Sequence, residues 1–308
     1  MSLHARTAIV RHFGPPEVIQ LEHLPSRGLA QGEVRVAVRS SGMNPVDARI
    51  RSGSFGGTVP LALGTEFAGV IAETRDAGLQ VGDAVIGWGV QGANSDLVVT
   101  DASRLIPKPT AISWDTAAGI GGVGSTAMTA LGALELAAGN TIVVHGAAGG
   151  VGTILTQLAH ARGLRVIGTA SAANHDHVTR LGGLPVSYGP GLADRITGVA
   201  GAASVTASID LAGTPEAGEY AAALLAGGQQ AITLVPETAA SHGIPLVRTR
   251  RDRTVLAELL AALTTGDLVA PTTSIPFTEI VEGHRRLDAG RARGKLVLDL
   301  SDNPHLVQ

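Results

Sequence analysis

The 308-residue chain contains no cysteine, which excludes disulfides, thiolate zinc ligands and cysteine nucleophiles together. Aromatic residues are also scarce. Two tryptophans, two tyrosines and four phenylalanines are scattered along the sequence and offer no stacking platform for single-stranded nucleic acid. Charged residues make up only 16% and the formal net charge is -3, so no nucleic-acid footprint and no acidic tail is indicated. The opening residues MSLHARTAIV lack the long apolar core of a secretory signal, and a cytoplasmic protein is expected. One charge-free stretch, Thr116 to Leu134, is long enough to raise the question of a membrane span. Its five glycines make it a poor spanning helix, and it reads as a buried loop and helix.

What the chain does have is glycine, 41 residues of it, and a 44% hydrophobic content sufficient for about two cores. Up to residue 115 the apolar runs are short and separated by glycine and proline turns: Thr7–Val10, Glu33–Ser40, Ala68–Glu73, Ala84–Gly87 and Asp96–Thr100. Such spacing predicts a β-rich domain. Over 116–252 strands expected at 141–145, 165–169, 184–188, 204–209 and 229–235 alternate with helical intervals, the pattern of a parallel sheet. From 253 to the end come a helix over Thr254–Thr264, a short segment near Thr273, a helix near Phe277–Ala289 and a strand over Lys295–Leu300, a tail expected to return to the first domain. The fold class is therefore α/β, a doubly wound parallel sheet of Rossmann type beside a β-rich domain.

The most informative stretch is HGAAGGVG, His145 to Gly152, which follows the apolar run 141–144 and opens a helix-patterned segment. Strand, tight turn and helix N-terminus in this order form a cradle for a dinucleotide pyrophosphate. Gly149, Gly150 and Gly152 let backbone approach the phosphates and let the helix sit close to its strand. Ala147 and Val151 complete the turn, and a nicotinamide cofactor is the implied ligand. The active site is expected at the carboxyl ends of the parallel strands.

With SGMNPVDARIRSG (41–53), LGTEFAGVI (63–71), VGDAVIG (81–87), GSTAM (124–128), HGAAGGVG (145–152) and GKLVL (294–298) in place, the chain resembles the medium-chain dehydrogenase/reductase superfamily. Within it, the resemblance is to the zinc-independent quinone oxidoreductases of the zeta-crystallin-like group. It implies a GroES-like catalytic domain at 1–115, a Rossmann cofactor domain at 116–252 and a C-terminal return at 253–308. Where the zinc enzymes of the superfamily carry their ligands, this chain has Asn44, Thr65 and Gly122, none of which replaces a thiolate or imidazole; no metal is expected. Gly64, Thr65 and Glu66 are expected to shape the former metal cleft. Asp47 reads as structural, paired with an arginine or a backbone amide.

The resemblance places Asn44 beside nicotinamide and acceptor, with a turn-forming role before Pro45 as the plainer alternative. It places Thr126 near the nicotinamide ring, against a simple role at a helix N-terminus. NADPH is expected over NADH because the second strand ends in Ala170 and Ser171, with no acidic residue to repel the 2′-phosphate. The resemblance makes Ser171, His175 and Tyr188 the candidate phosphate neighbours, although Ser171 could cap the next helix, His175 and His177 could be exposed helix residues and Tyr188 could pack on the domain surface. The quinone oxidoreductases that the chain resembles often carry tyrosines where Arg49 and Phe55 stand and an aromatic residue where Asn94 stands; Arg49 is expected in solvent, with binding of an anionic acceptor as the alternative.

These readings imply a hydride transfer from NADPH to a small-molecule acceptor, a quinone or an activated enone, with catalytic Asn44 and Thr126. An enoyl-thioester reductase and an NADPH-binding protein with little catalysis are the alternatives. A homodimer joined through the edge of the cofactor domain, near Ile244–Val247, is the further implication.

Overall fold

A computed structural model describes residues 3–290 and 292–306, and the chain divides into two compact units. The first unit takes residues up to Gly122, Leu256–Asp267 and those from Pro271 onward; the second takes Val123–Val255 and Leu268–Ala270.

The first unit is built on the strand Glu33–Met43, which is paired on both sides and is buried on both faces over most of its length. Its sheet runs in the order Thr272–Pro276, Lys295–Asp299, Glu33–Met43, Glu66–Thr74, Ala84–Trp88 and Leu105–Pro107, with Leu97–Asp101 also pairing to Glu33–Met43. Val34, Val36 and Val38 enter the main core with Phe67, Ile71 and Leu298, while Ala37 faces a smaller cluster with Ala5 and Leu97. A second sheet joins Ile19–Pro25, His4–Val10 and Leu61–Ala62. The tail thus supplies two strands to the sheet begun by the N-terminal residues.

The second unit is the parallel sheet read from the alternating pattern, in the order Gly183–Ser187, Arg165–Ala170, Thr141–His145, Val205–Asp210, Gln230–Thr233. Strands buried on both faces need unbroken apolar runs, and Thr141–His145 is buried throughout. Chain order reverses between Thr141–His145 and Val205–Asp210, the switch point at which open α/β sheets bind ligands. Beyond Gln230–Thr233, Leu246 makes a parallel bridge to Thr233 and extends the edge.

The glycine-rich stretch expected as a loop and helix is instead a continuous helix, Trp114–Gly132. Glycine disfavours a helix in isolation, but here side chains occupy the space that larger residues would need. An added Cβ would lie 2.7 Å from Lys295 at Gly119 and 2.9 Å from Trp88 at Gly121. Among the described residues no helix is long and apolar enough to cross a membrane.

Candidate active site

In the second unit the strand Thr141–His145 ends in a turn whose Gly146 has φ +79°, a conformation that a side chain opposes. Gly149 is the N-cap of the helix Gly150–Ala161, whose first-turn N–H groups have no acceptor within the helix. Gly150 and Val151 are half-buried at this end, so their amides are available to an anion. Gly152 has a different task. A Cβ there would sit 2.3 Å from the Gly146 carbonyl oxygen and 2.6 Å from the Ala147 Cα, so its absence lets helix and turn touch. Ala147 is fully buried, its N–H donates to the Thr169 carbonyl (3.0 Å), and its methyl leaves no room for a Cβ at Gly168.

The neighbouring strand ends at Ala170, and Ser171 follows as the N-cap of a short turn, making no side-chain capping bond. Its hydroxyl instead accepts from Asn174 Nδ2 at 3.2 Å. His175 is half-buried and shares a hydrogen bond with the Ser187 hydroxyl (3.2 Å), while Tyr188 is 54% exposed. His177, expected as a possible exposed residue, is buried and shares a hydrogen bond with Thr153 Oγ1 (3.1 Å). Arg195 went unnoticed in the sequence because nothing local marks it. Its guanidinium donates to the carbonyls of Ser187 (2.9 Å), Gly189 (2.9 Å) and Pro190 (2.7 Å), and so fixes the loop that carries Tyr188. Thr126 lies inside the helix Trp114–Gly132 rather than at its start, with Oγ1 2.8 Å from the Thr249 hydroxyl.

In the first unit Asn44 is the N-cap of the helix Pro45–Ser52, and its backbone N–H donates to Asp47 Oδ2 (2.7 Å). Asp47 therefore pairs with a backbone amide; it is fully buried, and that burial pushes its carboxyl up to about 7. The Asn44 side chain donates from Nδ2 to Glu66 Oε1 (2.8 Å) and accepts at Oδ1 from Lys295 Nζ (2.5 Å). Lys295 Nζ also lies 2.7 Å from Glu66 Oε1, and the Gly122 N–H donates to Glu66 Oε2 (2.6 Å). Asn44 and Gly122 thus come together around one buried carboxylate and one buried ammonium. Thr65, next to Glu66 in sequence, is half-buried, and Gly64 is held close to Asn94, where a Cβ would meet the carboxamide at 2.3 Å. Asn94 is buried and accepts from the Ser41 hydroxyl (2.5 Å), while Phe55 is exposed and Arg49 is half-buried rather than in solvent.

Lys295 and Glu66 are the site residues that sequence reasoning undervalued. One signal was available: Lys295 is one of only two lysines in a chain that otherwise uses arginine. A compact ammonium fits where a guanidinium fork does not.

Two family models match this chain, the alcohol dehydrogenase GroES-like domain over residues 30–130 and the zinc-binding dehydrogenase over residues 190–298. Quinone oxidoreductase from Mus musculus is 33% identical over 174 residues, covering 54% of this chain and 53% of that protein. The chain spans about half the length of the curated relatives it matches. Likeness to solved structures extends over almost the whole chain. Quinone oxidoreductase from Coxiella burnetii gives a TM-score of 0.85 at 25% identity, covering 97% of this chain and 100% of that one. A mycobacterial protein solved as a complex with NADPH gives 0.83 at 25% identity, covering 96% and 99%.

Proposed function

This chain belongs to the medium-chain dehydrogenase/reductase superfamily, and from that premise we propose that it is an NADPH-dependent reductase of quinones or activated conjugated carbonyls. The observation that carries the reading is the glycine turn at the switch point, followed by a strand that ends in Ala170 and Ser171 without a carboxylate. An aspartate about 4 Å from a 2′-phosphate would cost about 4 kcal/mol at an effective dielectric near 20. Its absence supports NADPH over NADH, and the similar mycobacterial protein was solved with NADPH.

The residues present fit this cofactor. The turn from Gly146 to Gly150 carries no side chain larger than a methyl, and the half-buried amides of Gly150 and Val151 face no helical acceptor. We assign Ser171, His175 and Tyr188 to the 2′-phosphate, and Arg195 holds the loop that carries Tyr188. When bound, reduced nicotinamide supplies a hydride with its electron pair. The Asn44 carboxamide would donate to the acceptor oxygen as that oxygen gains negative charge, Thr126 would neighbour the nicotinamide, and a proton from solvent would complete the reduction.

A zinc ion, suggested by the description of the second family model, does not fit. Among the described residues no cluster of three His, Cys, Asp or Glu side chains is present, and the Lys295 ammonium stands against the Glu66 carboxylate where a cation would be held. The reaction is accordingly read as metal-free, in a cytoplasmic homodimer joined at the edge of the second unit's sheet beside Leu246.

The test is steady-state oxidation of NADPH with a panel of quinones, enones and enoyl thioesters. Turnover of quinones or enones at a kcat/KM at least tenfold above that with NADH is expected. Turnover of enoyl thioesters alone, or NADPH binding without any turnover, overturns the assignment.

A further inference from the structure

A donor and acceptor count around Asn44 closes almost completely. The Lys295 ammonium has three N–H groups and three neighbours in reach: the Met43 carbonyl (2.7 Å), Asn44 Oδ1 (2.5 Å) and Glu66 Oε1 (2.7 Å). It has none left for a substrate. Glu66 accepts from Asn44 and Lys295 at one oxygen and from Gly122 N–H at the other. An ammonium only donates and a carboxylate only accepts, so the two charges dictate which end of the Asn44 amide is oxygen and which is nitrogen. A flipped amide would set its NH2 against the ammonium and its carbonyl against the carboxylate. After these bonds Asn44 retains one uncommitted N–H.

Space for the arrangement is reserved separately, by glycine. A Cβ at Gly42 would lie 2.5 Å from Glu66 Oε1, and one at Gly122 would lie 3.1 Å from Glu66 Oε2 and 3.3 Å from Asn44 Oδ1. Glu66 and Lys295 are 2% and 5% exposed, so the pair is shielded from the water that would otherwise loosen it.

We propose that Glu66 and Lys295 are positioning residues that lock the Asn44 carboxamide in one orientation, so that its remaining N–H is the donor presented to the acceptor oxygen. The inference rests on the reading of the site as a reductase of quinones or enones, in which Asn44 meets the acceptor. It assigns to an internal ion pair the orienting task for which a metal would otherwise be sought.

Either single substitution leaves a buried unpaired charge, so the paired variant Glu66→Gln with Lys295→Met is the one to make. The NADPH dissociation constant, read by cofactor fluorescence, should stay within threefold of wild type, because the glycine turn belongs to the other unit. The kcat with a quinone should fall roughly 10- to 100-fold, the scale of a misplaced catalytic group. Asn44→Ala should cost a similar factor in wild type and almost nothing further in the paired variant. Retention of kcat within threefold overturns the proposal. A readout independent of turnover is the Asn44 side-chain amide in a 1H–15N spectrum, assigned by its loss in Asn44→Ala. Wild type should show one slowly exchanging, well-dispersed pair that collapses to the position of a mobile amide in the paired variant. An averaged, fast-exchanging signal already in wild type overturns the lock even if the variant does not fold. Wild type inert towards quinones and enones but with a locked amide would instead defeat the reading of function.

Discussion

Single atoms decide the glycine turn, and its glycines are not equivalent. Gly152→Ala drives a Cβ to 2.3 Å from the Gly146 carbonyl, whereas Gly149→Ala places one at 3.4 Å from the same oxygen with φ already at -74°. Gly152→Ala should therefore destabilise the second unit by about 1–3 kcal/mol and weaken NADPH binding at least tenfold. Gly149→Ala should leave the stability of the second unit nearly unchanged. Urea melts and fluorescence titrations of the two variants check this, and equal effects would contradict the geometry. The motif in the sequence revealed that glycines cluster here, but not which one touches backbone, because that depends on how the helix leans over the turn. Lys295 shows the same limit more sharply. It sits 251 residues from Asn44, and no local pattern distinguishes a lysine that will be buried from one in solvent.

Elements were the most legible scale. The strand expected at 141–145 is the strand found, and the other parallel strands differ from expectation by a residue or two at their ends, because apolar runs mark burial and not hydrogen-bond limits. Strands Ile19–Pro25 and Leu105–Pro107 went unread, since the first exposes much of its length and the second is only three residues long. The loop at 187–190 is another feature set by contacts rather than pattern. Arg195 spans three of its carbonyls, so Arg195→Met should free the segment that bears Tyr188. The expected result is a KM for NADPH raised roughly three- to tenfold with kcat and the KM for NADH little altered, at a stability cost of about 1–2 kcal/mol. A KM unchanged for both nucleotides would dissociate this loop from the 2′-phosphate.

The whole molecule carries its buried titratable groups unequally between the two units. In the second, burial holds His145 down to about 4; in the first, burial holds His284 down to about 3 and raises Asp47 to about 7. A histidine with a depressed folded pKa gives stability above its unfolded value near 6.5 that is lost as pH falls. A carboxyl with a raised folded pKa acts oppositely over the same interval, gaining stability as pH falls towards its unfolded value. Between pH 6.5 and 5 the two trends oppose each other in the first unit, while the second loses stability because His145 is held uncharged. Both tryptophans, Trp88 and Trp114, lie in the first unit and both tyrosines, Tyr188 and Tyr220, in the second, so the units report separately. Urea midpoints followed by tyrosine emission should fall on acidification while those followed by tryptophan stay level. Parallel movement of both signals would refute the partition.

The strand Lys295–Asp299, which completes the sheet around Glu33–Met43, has a consequence for biosynthesis. A growing polypeptide exposes the acidic side chain at position 66 long before the ribosome has made its cationic counterpart, whereas nearly all of the second unit is contiguous and can mature in between. The strand Glu33–Met43 must wait, open at a sheet edge, until residues 295–299 have been made. That interval is when chaperone capture should be greatest.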